Sequence, residues 1–412
     1  MMNVRDRFRE VMENFNTAVS PPKWEFGYWG ANYANWYKEG LPRHRTPRPL
    51  SKTTTATASL YAPCWNSRKR GEISDGMAVL GGGLYWPTQG FALDDDVRTA
   101  CDMDKGQILV NVDLLFYPKF EVQILEDTES TMLYIDIDGV KRRFAKQTGV
   151  IPMAEDNPVK DWPTWNKLKD ERLSLKHVMD RFPANWAQLV KNYQSRDYPL
   201  VLGGYPHGYF GTLAHLMGYE HLFFNYYDQP ELIHDIQKTF TDIWIAVYEE
   251  VFAQTDVDMF VFWEDISAGI GSMVAPDTMR EFMLPYYKRM TGFLKAHGVK
   301  TIFVDTDGEC TDLIPLFLEG GITGLYPMEA SCGVDIVKVR KMYPKLQLMG
   351  GIPKSEIAKG PRRIDEILEP VRTVLATGGY IPFGDHLIPP EIHWDEFNYY
   401  RRSLNALIDS HR

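Results

Sequence analysis

The sequence predicts an α/β fold, a (β/α)8 TIM barrel with an inserted cap that contains an antiparallel β-hairpin. Three observations predict it. Short apolar strands alternate with helices through the second half of the chain, which is the grammar of a parallel sheet. Together with one N-terminal strand they number seven, close to the eight of a barrel. No GxGxxG follows a strand and no P-loop is present, which disfavours the competing doubly wound open sheet. The 412 residues fit one barrel with insertions, read as a single domain 1–412 in which 31–185 is the cap.

The elements follow in order. Residues 1–17 carry Phe8, Val11, Met12 and Phe15 on one stripe, an amphipathic helix that Pro21 and Pro22 bring to an end. The run 23–28 (KWEFGY) alternates as a first strand. Residues 30–110, rich in Thr, Gly and aromatics and holding Gly81, Gly82 and Gly83, show no sustained period and form an irregular lobe. Period two then sets in over 118–148, and Asp138-Gly139 between two alternating runs predicts a hairpin. After a Pro- and Trp-containing connector at 152–167, strands are expected at 199–203, 258–263, 300–304, 322–325, 346–350 and 379–383. Helices are expected at 230–252, with Leu232, Ile236, Phe240, Ile243, Val247 and Val251 inward, and at 277–297 and 393–409.

Composition bounds the function. Fifty-five acidic residues against 45 basic ones give a net charge of −10, which disfavours a phosphate-backbone binder, so no nucleic-acid partner is expected. No apolar run of membrane length and no signal peptide open the chain, so a cytoplasmic protein without a membrane partner is expected. Cys64, Cys101, Cys310 and Cys332 lack CxxC spacing and should be free thiols. Aromatics at 13% suit a large core first and a flat ligand second.

Barrel chemistry sits where strands end and loops begin. The first strand carries Trp24, Glu25, Tyr28 and Trp29. The later strand ends present Tyr205 and His207, Glu264 and Asp265, Asp305 and Asp307, Tyr326 and Glu329, and Asp385 and His386; Lys354 follows GGIP. Any one such acid reads first as a helix cap. Several together repel one another and call for a cation, a basic partner or shared protons. Asp305 and Asp307, two apart, face the same way if the strand continues. With Glu329, Asp385 and His386 they form an oxygen-rich set able to hold Zn²⁺, although zinc sites more often contain nitrogen or sulfur. Lys354 serves equally as partner of the acids or as a solvated helix-start lysine. A nucleophilic Cys310 or Cys332 is disfavoured, since neither adjoins an obvious base. His215, His221, His234 and His297 fall within helices and read as structural.

The run DTDGECTDLIPLFLEGGITGLYPMEASCGVDIVKVRKMYPKLQLMGGIPKSEI and the later GGYIPFGDHLIPPEI resemble the uroporphyrinogen decarboxylase superfamily. VFWEDISAGIGSMVAPDTMREFMLPYYK, WEFGYW and EGLP are similar to its corrinoid-dependent methyltransferase branch. The resemblance spans roughly 1–30 and 190–410 and implies a (β/α)8 barrel. It also carries departures. Uroporphyrinogen decarboxylases place arginines after the first strand, where this chain has Trp24 to Trp29 with Glu25, which would repel a porphyrin's carboxylates. Thiol-methylating members hold zinc with His-x-Cys and a late Cys; Asp305-x-Asp307 and Asp385 or His386 stand there here. An oxygen-rich set suits an ether oxygen rather than a thiol.

The resemblance therefore implies demethylation of an aromatic methyl ether, with the methyl passed to cobalt on a separate corrinoid protein, since no DxHxxG motif is present. Glu264, Asp265, Tyr205 and His207 are the expected catalytic groups. Trp24, Glu25, Tyr28, Trp29, Tyr326 and Lys354 are expected to contact the methoxylated small molecule. Asp305, Asp307, Glu329, Asp385 and His386 are the expected zinc ligands. A homodimer is compatible with this reading. The alternatives are a decarboxylase-like lyase acting on a small carboxylate and a non-catalytic ligand-binding barrel.

Overall fold

Seven parallel strands pair in strict chain order in the computed structural model, which describes residues 2–42, 84–85, 92–145 and 152–410. They are β1 (Ile108–Leu109), β2 (Leu200–Gly203), β3 (Met259–Trp263), β4 (Ile302–Asp305), β5 (Gly324–Tyr326), β6 (Gln347–Met349) and β7 (Tyr380–Ile381). The register runs Ile108 to Leu200, Val201 to Met259, Phe260 to Ile302, Phe303 to Gly324, Gly324 to Gln347, and Leu348 to Tyr380. A sheet wound in one direction curls into a barrel wall, whereas an open doubly wound sheet reverses its strand order.

The gap between β7 and β1 is filled by residues 23–28. The Asp104 amide reaches the Lys23 carbonyl at 3.1 Å on one side, and the Ile388 amide reaches Gly27 at 2.9 Å on the other. The expected first strand is thus the closing stave rather than a ladder member. In exchange, β1 supplies a strand from within the stretch that looked irregular. It is two residues long, too short for any periodicity.

The helix Val4–Asn14 plugs the N-terminal end of the barrel. Asn3 caps it by accepting from the Asp6 amide, and Phe8, Val11 and Met12 are buried. Several of its contacts fall at or just before strand starts: Arg5 on Asp258 and the Asp197 carbonyl, Gln347 on the Met12 carbonyl, and the Gly379 amide on Val11. The expected inward residues of the helix Pro230–Phe252 are all buried. The helix expected over 277–297 is two, Pro276–Phe282 and Leu284–Ala296. Pro285 lacks an amide to continue the first and opens the second. The C-terminal helix Trp394–Ser410 buries Phe397, Tyr400, Leu404 and Leu407.

The cap holds four antiparallel strands, Gln123–Asp127, Thr131–Ile135, Lys141–Ala145 and Met153–Asp156. The Asp138-Gly139 turn joins the second and third as expected, although the sheet extends into the stretch read as connector. Cys64 and the Gly81–Gly83 run lie outside the described residues.

Candidate active site at the barrel mouth

The ladder continues past the strand ends and thereby places the site. Backbone bonds run from Glu264 N to Asp305 O, from Thr306 N to Tyr326 O, from Gly351 N to Pro327 O and from Asp385 N to Ile352 O. The ends of β3 to β7, five in all, are therefore locked side by side around the C-terminal mouth. Asp265 (φ 46°) and Met328 (φ 56°), next to Glu264 and Glu329, are left-handed, a conformation that costs a non-glycine residue and clusters at functional sites.

Three acids crowd the centre. Burial, and then the charge of Asp307, pushes Asp265 well above the usual carboxylate range. Asp305 is raised by burial and then by Asp265 and Asp307, while the Tyr326 hydroxyl donates to it. Strand β4 stops at Asp305, so Asp307 is placed by the loop rather than by strand parity. Its Oδ2 lies 3.2 Å from His386 Nε2, with the Asp307 side chain 39% and the His386 side chain 25% exposed. Phe26 flanks this pair, its ring centroid 5.1 Å from His386, 6.0 Å from Tyr326 and 6.2 Å from Phe383.

Beside them lies a charged trio. Lys354 Nζ is 3.1 Å from Glu329 Oε1 and 3.4 Å from Asp385 Oδ1. The other Glu329 oxygen accepts the Gly308 amide at 2.8 Å. Burial pushes Glu329 upward, but that amide, the Lys354 ammonium and the Cys332 thiol outweigh it and hold the carboxyl below its ordinary value. Asp385 is fully buried. Its Oδ2 accepts both the amide and the hydroxyl of Ser331, at 2.7 and 2.6 Å, and its Oδ1 accepts the Lys354 amide at 2.9 Å.

The mouth thus gathers Asp265, Asp305, Asp307, Tyr326, Glu329, Lys354, Asp385 and His386. Other expected site residues are committed elsewhere. Glu264 is fully buried and accepts the amides of Tyr209, Phe210 and Gly211 and the Tyr287 hydroxyl, at 2.8, 2.6, 3.1 and 2.6 Å. Gly208 and Gly211 permit this, since a Cβ on either would meet the Trp263 carbonyl at 1.7 or 2.3 Å. His207 has no exposed surface, stacks on Trp244 at 3.6 Å and bonds the Tyr248 hydroxyl at 2.7 Å; burial keeps it neutral. Glu25 pairs with Arg401 at 3.2 Å with both side chains at 0% exposure, and accepts the Gly384 amide at 2.7 Å. Trp24 is buried with its Nε1 on the Lys105 carbonyl, and Tyr28 is buried edge-on to Trp36 and Phe397. Trp29 pairs through its backbone with Leu84. Burial pushes the Cys310 thiol up to about 12 and, with Glu329, the Cys332 thiol up to about 11, so neither is a ready nucleophile.

Sequence reasoning passed over two features. Phe26 stood inside WEFGYW between residues that drew more notice. Asp136, Asp138, Arg142, His215 and Tyr205 form a buried network between the cap and the end of β2. Asp136 binds Arg142 at 2.6 Å, and His215 binds Asp138 at 3.2 Å and the Tyr205 hydroxyl at 3.1 Å. Tyr205, expected among the catalytic groups, is bonded into this network instead, and the turn aspartates that complete it read from sequence as turn formers.

The resemblance also implies a zinc ion. The donor set does not fit one: among the described residues no three His, Cys, Asp or Glu side chains are placed to share a metal. Lys354 instead takes up Glu329 and Asp385.

With this geometry in hand, comparison with known proteins is direct. The family model described as uroporphyrinogen decarboxylase (URO-D) matches residues 137–404. A solved structure, a methyltransferase from Methanosarcina mazei, superposes with a TM-score of 0.50 at 11% identity, covering 100% of this chain and 99% of that one. At that identity it speaks to the fold. The search of curated proteins returned no match. Among the described residues no helix is long and apolar enough to cross a membrane.

Proposed function

The chain belongs to the uroporphyrinogen decarboxylase family, and we propose that it removes the methyl group of a methoxylated small molecule, passing it to the cobalt of a separate corrinoid protein. The carrying observation is the Asp307–His386 pair, part-exposed at the mouth and faced by the ring of Phe26. The name of the Methanosarcina mazei structure supports methyl transfer, and the mouth supports an oxygen leaving group.

The carbon–oxygen bond breaks with its electron pair left on oxygen, so charge develops there. The partner's cobalt supplies the electron pair that takes the methyl group. An alkoxide or phenolate leaves poorly unless a proton or a cation meets it. In this reading His386, held by Asp307, gives that proton, and Phe26 and Tyr326 border the substrate's ring. Burial and neighbouring carboxylates raise Asp265 and Asp305 above the usual carboxylate range.

The test mixes the protein, a reduced corrinoid protein and a panel of methoxyarenes, and follows cobalt methylation by absorbance. His386→Asn should slow turnover roughly 10²–10³-fold with little change in substrate binding. A corrinoid protein that stays unmethylated across the panel, alongside carbon dioxide release from a carboxylate substrate, overturns the reading in favour of a lyase.

A further inference from the structure

We propose that the mouth works without a metal, and that the Lys354 ammonium is the cation that meets the substrate's oxygen; the second half of this rests on the methyl-transfer reading, the first does not. The ammonium stands where an oxygen-rich zinc site would need its ion. It lies within 3.4 Å of both Glu329 and Asp385. A metal binding these two carboxylates would have to expel it. The remaining oxygens are also engaged, Glu329 Oε2 by Gly308 and Asp385 Oδ2 by Ser331. The His386 nitrogen nearest the acids faces Asp307.

The Lys354 side chain stays 16% exposed while it holds the two carboxylates.

An ammonium carries three hydrogens, and Glu329 and Asp385 accept two. The third has no protein acceptor among the described residues. A leaving oxygen that accepts it gains a charge-assisted bond. The proton for that oxygen comes from His386 or from Lys354 itself, and the atoms balance in either case: methyl departs, hydrogen arrives. An ether or phenol oxygen suits this donor better than a carboxylate does, because Glu329 and Asp385 already press two negative charges upon it.

Two measurements test the inference separately from turnover. Wild-type protein dialysed against zinc should retain less than about 0.1 ion per chain, and titration with cobalt(II), a coloured stand-in for zinc, should give no saturable visible band. One ion per chain, lost in Asp307→Asn or His386→Asn, overturns the metal-free centre. In the methyl-transfer assay, a chelator should leave the rate unchanged. Lys354→Met should slow it by about 10²-fold, and Lys354→Arg should keep the fold and recover part of the rate. If Lys354→Met fails to fold, Lys354→Arg decides: full wild-type rate with altered donor geometry rules out the Lys354 contact. An unmethylated corrinoid protein together with absent zinc removes the methyl-transfer reading and leaves the metal-free centre standing.

Discussion

Two sets of acids sit on the staves of this barrel or just past their ends, and the difference between them lies in their donors. Glu25 and Glu264 are closed off. Arg401 and the Gly384 amide hold the first; three consecutive amides and Tyr287 hold the second. Their donors are fixed by the backbone or sealed in the core, so nothing is left for a ligand. Asp307 and Glu329 are met by His386 and Lys354, side chains that stay part-exposed and can move a proton. Glu264 shares its place past a strand end with Asp307 and Glu329. Only the second set can do chemistry.

The largest break in this comparison comes from the closed set. Arg401→Met leaves Glu25 buried with its Gly384 and Phe26 amides but without its guanidinium. An uncompensated buried charge costs roughly 3–5 kcal/mol, to be read as a lowered urea midpoint, and the double variant with Glu25→Gln should recover part of it. A cost under about 1 kcal/mol would place Glu25 with the mouth acids instead.

Glu264→Gln is the next step down. It replaces an acceptor facing Tyr209 N and Tyr287 Oη with a donor, for a loss of about 2–3 kcal/mol. Burial pushes the Glu264 carboxyl up to about 7. The sign follows. Near pH 5.5 the folded protein keeps this proton while the unfolded chain has mostly lost it, so unfolding releases a proton and stability falls as pH rises from about 4.5 to 7. Wild type should show that slope and Glu264→Gln should lack it. Equal slopes in denaturation series across that range would show that the four donors keep Glu264 ionised.

The same comparison shows how far the residues alone could be read. The six strands from β2 to β7 were legible because each is an apolar run between helices, and the helix Pro230–Phe252 because its period survives six turns. β1 was not, being two residues whose partner lies about 90 positions away. The stop at Met283 was encoded by Pro285, which the single helix read over 277–297 passed across. At the site, residue types at strand ends located the mouth acids. They could not separate Glu264 from Asp307, since donors supplied by Tyr209, Phe210 and Gly211 are backbone amides that no side-chain pattern announces. His207 looked reactive for the same reason: the Trp244 that buries it comes from a distant helix.

Asp385 tests where the boundary between the two sets falls, and here the expected effect is smallest. It is as buried as Glu264, and its donors include two amides, those of Ser331 and Lys354. Yet it also touches the Lys354 ammonium. If its first duty is to hold the loop after β6, then Ser331→Ala removes one hydroxyl donor and leaves both amides in place. That should cost about 1 kcal/mol of stability and change methyl transfer by no more than about twofold. If instead Asp385 sets the charge felt by Lys354, the lost hydroxyl strengthens its hold on the ammonium. Turnover would then drop by tenfold or more, with the urea midpoint barely moved. Stability and rate thus move in opposite proportions under the two assignments. The burial of Asp385, and its three protein donors before the ammonium is counted, favour the first: Asp385 is a positioning residue that aims Lys354, and the chemistry begins one contact further out.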